Sequence, residues 1–412
     1  MSEQRIIQGD CLDVLKTLPE NSVDSIVTDP PYELGFMGKS WDSTGIANNK
    51  EMWAEALRVL KPGGHLLSFG GTRTYHRMAC AIEDAGFEVR DMVSWIYGSG
   101  FPKSRNITLD MDKMEGHGNR GHRIAVANRH HPDGTLEPNG EILPAYEPKT
   151  DNAKKWNGWG TALKPACEPC VLARKPLSEK TVALNVLKWG TGGIAIDACR
   201  VPTTEEISNH SRGSESAISK GKYGNSAEQE THQTEGQALG RFPANLIHDG
   251  SDEVVEVFPN SKGCTNSVPQ PSTGWKNTSK EVYWNAYNDN GSASRFFYCA
   301  KTSKSERNKG CEELEDKLGG SLEGGNDKRN GDTPQLKPTK NNHPTVKPQA
   351  LMKYLITLIT PTGGTVLDPF TGSGSTGVAC KSINRSFIGI EKEAEYCEIA
   401  RHRLSAMSET LF

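Results

Sequence analysis

The chain has no surplus of positive charge: 48 lysines and arginines stand against 51 aspartates and glutamates in 412 residues, a net charge of −3. Proteins that coat nucleic acid without regard to sequence are usually basic, so that class is excluded. Any nucleic-acid contact has to come from a local basic face. Long apolar runs are also missing. None approaches the roughly 18 residues that span a bilayer, and residues 1–6 lack a secretory-signal pattern. No membrane role is expected, and the expected location is the cytoplasm. Paired metal-ligand motifs are missing as well. Of ten cysteines only Cys167 and Cys170 stand close together, and no second CxxC or HxxxH completes a zinc set. No metal is expected, and the thiols read as reduced.

What is abundant is glycine and proline, 42 and 23 residues, which marks a loop-rich chain long enough for two or three domains. Residues 5–8, 25–28, 65–69 and 87–97 read as strands. Helices are expected at 12–18, 47–60 and 74–85, the second stopped by Lys61-Pro-Gly-Gly64. This alternation predicts an α/β domain with a mainly parallel sheet. It breaks after Gly98. Strand character returns at 168–174, read as the hairpin partner of 87–97 across a long insertion. Residues 190–300 are irregular with short apolar stretches at 193–196 and 244–247, and 302–342 are polar. Order returns with helices at 349–360, 375–383 and 393–408 and strands at 365–367 and 387–390.

Two stretches carry chemistry. Near the C-terminus a strand enters Asp368, followed by Pro369, Phe370 and a turn containing Gly372, Ser373 and Gly374. Glycines there allow close backbone approach to a ligand. A carboxylate at Asp368 suits a cationic group such as an α-amine. Glu391, at the end of the next strand, suits a ribose diol. The spacing Gly372-x-Gly374-x-x-Gly377 also matches a dinucleotide fingerprint, which leaves an NAD-dependent oxidoreductase open on this segment alone.

The second stretch is Asp29-Pro30-Pro31-Tyr32 at the end of the strand at 25–28. An exocyclic base amine is a weak nucleophile because its lone pair is delocalised into the ring. Acceptors aimed at its N–H groups localise that pair, and the Asp29 carboxylate and the Pro30 carbonyl suit this task. The prolines stiffen the loop and remove competing donors. Tyr32 offers a ring on which a flipped base stacks.

These residues resemble the amino-group DNA methyltransferases that use S-adenosylmethionine. Residues 29–32 match that family's catalytic motif and 368–374 its cofactor motif. The order, catalytic motif first, resembles the permuted β group, as does His343-Pro-Thr-Val-Lys-Pro348. Tracts such as 101–104 and 294–298 look like those of phage and prophage members. The resemblance implies a Rossmann-like class I S-adenosylmethionine methyltransferase fold, circularly permuted, with an inserted target-recognition region. It implies N6-methylation of adenine in double-stranded DNA, with cytosine N4 as the alternative and a non-catalytic DNA-binding phage protein as a reading of another class. It places Asp10 and Cys11 at the cofactor adenine, Thr345 and Lys347 over its methionine end, and Trp95 with Tyr32 at the target base. A homodimer and a restriction endonuclease partner stay open.

The expected domains are 1–100 (amine half), 101–160 (inserted loop), 161–189 (hairpin strand), 190–342 (target recognition) and 343–412 (cofactor half). Arg120, Arg123, Arg129, Lys154 and Lys155, interleaved with aromatics, are candidate DNA contacts.

Overall fold

The computed structural model describes residues 2–34, 40–98, 100, 104–117, 147–203, 209–211, 230–232, 238–261, 291–300, 306–315, 317–318, 338–343 and 345–407. The chain divides into two compact units, Met1–Gly98 with Cys167–Phe412, and Ser99–Ala166.

The larger unit is built on one nine-stranded sheet. Its strands are β1 (Gln4–Gln8), β2 (Val23–Thr28), β3 (Leu60–Phe69), β4 (Glu88–Ile96), β5 (Cys167–Arg174), β6 (Leu246–His248), β7 (Tyr298–Cys299), β8 (Thr365–Asp368) and β9 (Ser386–Glu391). Their spatial order is β1-β9-β8-β2-β3-β5-β4-β6-β7. All neighbours are parallel except at β5, which runs antiparallel to both β3 and β4. The antiparallel pairing of 87–97 with 168–174 is therefore present, from Glu88 opposite Arg174 to Ile96 opposite Cys167.

Both faces of the sheet are covered, which is why β2 is buried along its whole length. Successive strand residues point to opposite sides. Ile26 and Leu66 join one core with Met52, Trp53, Met78 and Ile82, from helices α2 (Lys50–Val59) and α3 (Tyr75–Asp84). Val27 and Leu67 join the other with Leu351 and Leu355 of α7 (Gln349–Ile359) and Ala379 of α8 (Ser375–Ser382). Truncating Leu351, fully buried, to alanine is expected to cost about 2–5 kcal/mol in a denaturant titration.

Local signals account for the helix ends. Asp10 caps α1 (Cys11–Thr17), its carboxylate accepting from the Leu12 amide at 3.1 Å. Asn49 caps α2 in the same way. The smaller unit contains α4 (Ile107–Met114) and the short α5 (Asp151–Lys155), the latter capped by Thr150.

Three expectations need correction. First, Lys61–Gly64 ends α2 but lies inside β3 rather than before it. Gly63, at φ +78°, is absorbed where the β2–β3 register shifts, so turn residues serve as a strand irregularity. Second, residues 182–189 form a helix, α6 (Val182–Trp189), capped by Thr181 and ended by Gly190 in the left-handed region. Third, two short stretches within 190–342 belong to the nine-stranded sheet. Residues 246–248 and 298–299 extend it beyond β4, as strands too short to leave an alternating pattern. The stretch at 193–196 leads instead into a 3₁₀ turn at Asp197–Cys199.

The chain's two ends meet in this sheet. β1 pairs with β9 from Gln4 opposite Phe387 to Gln8 opposite Glu391, and the Gly9 amide donates to the Glu391 carbonyl at 2.9 Å.

Candidate active site

From β8 the sheet grows one way through β9 to β1, and from β2 the other way through β3. The reversal falls between β8 and β2. In open α/β sheets such a switch point, at the carboxyl ends of the strands, is where ligands bind. β8 ends at Asp368, and β2 ends at Thr28, immediately before Asp29. Two segments far apart in sequence therefore present acids side by side.

Asp29 sits in a charged cluster. The Lys347 ammonium lies 2.9 Å from Asp29 Oδ2 and 3.0 Å from Glu168 Oε2, and it donates to the Tyr32 hydroxyl at 3.2 Å. That hydroxyl donates in turn to Glu168 Oε2 at 3.1 Å. The other Asp29 oxygen, Oδ1, is buried and has no hydrogen-bond partner among the described residues. Burial pushes the Asp29 carboxyl above its usual range; Lys347 opposes that shift, and Glu168 adds to it. Burial alone would lower the Lys347 ammonium, but Asp29 and Glu168 outweigh it and hold the charge on. The ammonium also lies 4.9 Å from the Phe69 ring centre and 5.5 Å from that of Tyr32, within cation–π range. Burial, then Asp29 and Glu168, push the Tyr32 phenol well up, so it stays a neutral donor.

The loop after Tyr32 is fixed from several sides. Thr74 Oγ1 donates to the Tyr32 carbonyl at 2.7 Å. The Asp42 carboxylate accepts from the Glu33 and Leu34 amides at 3.1 and 3.3 Å. Trp95 lies on β4 directly opposite Glu168, so both project from the same face. Its ring centre is 4.9 Å from that of Tyr97, and its indole N–H is buried without a partner.

The glycine turn is built for packing as well as for approach. Gly372 and Gly374 lie in the left-handed region, at φ +51° and +77°. A Cβ on Gly372 would stand 2.6 Å from His343 Nε2, and one on Gly374 2.9 Å from Ala400 Cβ on α9 (Ala394–Ser405). A Gly374→Ala variant is expected to lose at least about 1–2 kcal/mol from the backbone alone, before the clash is counted. A denaturant titration would read this, and an unchanged midpoint would contradict it. Burial pushes the His343 imidazole down to about 3, so it packs as a neutral ring, 4.6 Å from Tyr396. Arg403, also buried, donates from Nη1 to the Ser373 carbonyl at 2.6 Å and to the Ser373 and Ser375 hydroxyls at 3.0 and 3.2 Å.

Several predicted residues meet here in roles that differ from those expected. The Asp368 carboxylate turns inward instead of facing a ligand amine. Its Oδ1 accepts from Thr28 Oγ1 at 2.6 Å and the Phe370 amide at 3.1 Å, and its Oδ2 from Thr376 Oγ1 at 2.6 Å. It is 2% exposed, and burial pushes it up to about 6. Asp368 thus ties β8 to β2 and to the start of α8. Lys347, expected over the cofactor's methionine end, lies instead on Asp29. Thr345 is exposed, its amide donating to His343 Nδ1 at 3.4 Å. Glu391 stands beside the turn, accepting from the Gly372 amide at 2.8 Å. Asp10 is half-buried near Lys392, whose ammonium is 3.7 Å away, and Cys11 is buried in the core with its thiol pushed up to about 12. Pro369 is buried, and Phe370 packs against the α1–α2 core. Arg120, Arg123 and Arg129 lie outside the described residues. Lys154 and Lys155 are exposed on α5.

Glu168, Thr28, Thr376 and Arg403 were not anticipated. Two of them left signals. Glu168 is a charge at the start of an otherwise buried strand, and Arg403 falls on the buried stripe of α9 with Ile399 and Ala400. Cys167 and Cys170, three apart on β5, face opposite sides of the sheet and do not form one ligand pair.

Sheet order and site together define a doubly wound, Rossmann-like α/β protein whose strand-end acids Asp29 and Asp368 meet at the switch point. The chain belongs to the DNA methylase family of the N6/N4 type, whose model matches residues 23–167 and 238–402. That membership sets aside the oxidoreductase reading of the glycine turn. The chain is 38% identical over 147 residues to the type II methyltransferase M2.DpnII of Streptococcus pneumoniae, covering 35% of this chain and 50% of that protein. It is 22% identical over 450 aligned positions to the type II methyltransferase M.HindIII of Haemophilus influenzae, covering 99% and 97%. The chain thus spans about half the length of the first of these curated relatives. Among solved structures, the cytosine-N4-specific PvuII DNA methyltransferase matches with 14% identity, 100% and 89% coverage and a TM-score of 0.43, a likeness on which nothing further rests.

Proposed function

We propose that the chain is an S-adenosylmethionine-dependent DNA methyltransferase that methylates adenine N6 in duplex DNA, by base flipping and direct in-line transfer. One observation carries this reading: Asp29 Oδ1, buried and without a partner among the described residues, stands at the switch point between the two halves. An unpartnered buried acceptor is costly unless a donor completes it. A base amine is a donor that fits. When it donates to Asp29, its lone pair is drawn out of the ring and toward the methyl group. Tyr32 supports the flipped base, and Trp95 lines the same side.

The bound cofactor would supply an electrophilic methyl group on a sulfonium. The acids at the strand ends fit such a group: Glu391 for the ribose diol, Asp10 at the adenine end and Asp29 near the cation. Asp368 and Arg403 hold the turn that shapes this half. The pairing of β1 with β9 supports the permuted reading, since the amine half comes first and the two chain ends are neighbours in the sheet. The phage-like tracts make an orphan enzyme and one paired with an endonuclease both open to test.

The methylated base decides the substrate. Unmethylated genomic DNA and labelled S-adenosylmethionine are incubated with the protein, digested to nucleosides and analysed by mass spectrometry. N6-methyladenine is expected. N4-methylcytosine would keep the mechanism and change the base, and absence of any labelled nucleoside would overturn the reading.

Binding to DNA is expected to depend on salt through the inserted unit. Alanine at Arg120, Arg123, Arg129, Lys154 and Lys155 is expected to flatten the plot of log affinity against log salt by about 0.9 for each phosphate that is no longer neutralised. An unchanged slope removes these residues from the interface.

A further inference from the structure

We propose that Glu168 is a positioning residue of the amine-accepting site: it holds the Lys347 ammonium so that Asp29 is paired through one oxygen and left open through the other. The inference rests on the methyltransferase reading and adds a residue to it.

An ammonium carries three protons and accepts nothing. In this site all three have acceptors: Asp29 Oδ2 at 2.9 Å, Glu168 Oε2 at 3.0 Å and the Tyr32 hydroxyl at 3.2 Å. No proton is left for Asp29 Oδ1, which is buried and unpartnered beside it. The arrangement therefore depends on Glu168. Without that carboxylate one ammonium proton is released, and the carboxylate that Lys347 already touches carries an unpartnered acceptor, the oxygen that the substrate amine needs. The cation would then compete with the substrate for Asp29.

Glu168 is itself well placed to hold this position. It stands on β5, hydrogen-bonded on one side to β3 and on the other to β4. Its Oε2 also receives the Tyr32 hydroxyl at 3.1 Å, which ties the catalytic loop to the same carboxylate. Lys347 comes from the segment before α7, and its side chain is 7% exposed, so the ammonium has little bulk water to turn to. Charge adds to geometry. Two acids, Asp29 and Glu168, face the one Lys347 ammonium, an arrangement that suits a reaction moving positive charge onto the amine.

Two variants separate this role from packing. Glu168→Leu removes the acceptor, and Glu168→Gln keeps an acceptor oxygen in the same place. E168L is expected to lower kcat about 100-fold, the scale of removing one electrostatic partner from an active site. Its KM for DNA and its affinity for S-adenosylmethionine should stay within about twofold, because Glu168 touches neither phosphate nor cofactor in this reading. E168Q should recover most of the loss, to within about tenfold of wild type. Cofactor binding also reports folding; if E168L does not bind, Glu168→Met carries the same comparison on a more adaptable side chain. A wild-type kcat in the acceptor-free variant would overturn the inference. So would a loss of cofactor affinity matching the loss of kcat, or E168Q failing as badly as E168L. If the wild-type protein itself transfers no methyl group, the failure belongs to the functional reading and not to Glu168.

Discussion

An Asp29→Ala variant is expected to lose methyl transfer by about 10²–10³-fold or more while still binding S-adenosylmethionine. The two effects separate because, in the proposed function, Asp29 serves the amine. Its open oxygen, Oδ1, is a buried acceptor without a partner among the described residues. Alanine removes that acceptor, and the amine's lone pair stays in the ring. The cofactor half is held by other groups: Arg403 on Ser373, Asp368 on Thr28 and Thr376, and Glu391 on the Gly372 amide. The fold should survive as well. Removing the only partner of a buried charge costs about 3–5 kcal/mol, but Lys347 keeps Glu168 and Tyr32. The stability loss should fall below that range. Single-turnover transfer and equilibrium cofactor binding, measured on one preparation, test both halves of the expectation. Retained turnover would remove Asp29 from the chemistry, and lost cofactor binding would move it to the other half of the site.

The second large effect is a pH dependence brought out by Lys347→Met. In the proposed function, ionised Asp29 accepts a hydrogen bond from the amine, whereas a protonated carboxyl offers a donor instead. In the wild-type protein burial raises the Asp29 carboxyl, Lys347 lowers it and Glu168 raises it. Taking away Lys347 leaves both raising influences unopposed. The carboxyl then stays protonated to higher pH, so activity is depressed on the acid side and returns as pH rises through the new, higher value. The acid limb of the kcat profile should therefore lie at higher pH in the variant than in wild type. The other groups facing Asp29 do not produce that difference. Tyr32 is pushed upward and stays neutral, and burial raises the Cys170 thiol. Asp368, pushed up to about 6, is present in both enzymes. Superimposable profiles would show that Lys347 does not set the protonation of Asp29.

Some features of this protein are local, and the sequence alone determined them. A buried run ending in a carboxylate and a stiff or glycine-rich turn reads as a strand delivering an acid to the carboxyl end of the sheet. Asp29 and Asp368 both stand in such a run. The helices at 50–59, 349–359 and 394–405 are legible because one apolar stripe repeats along each. The family motifs lie in the same short windows, so the donor and amine halves can be named without knowledge of the fold.

The tertiary structure decided how those acids are used. Lys347 meets a hydroxyl 315 residues away on Tyr32, Tyr32 meets Glu168 across 136, and Asp368 meets Thr28 across 340. No periodicity records such pairings. Only the sheet order, with β8 beside β2 and β5 beside β3, brings these segments together. It ties Asp368 to Thr28 and Thr376 and sets Lys347 against Asp29 and Glu168. It also gave Glu168, inconspicuous between two cysteines, the place that holds both Lys347 and Tyr32. Sequence pattern reports which way a side chain points along its own strand or helix. Which distant charge it meets depends on the neighbour the fold places beside it.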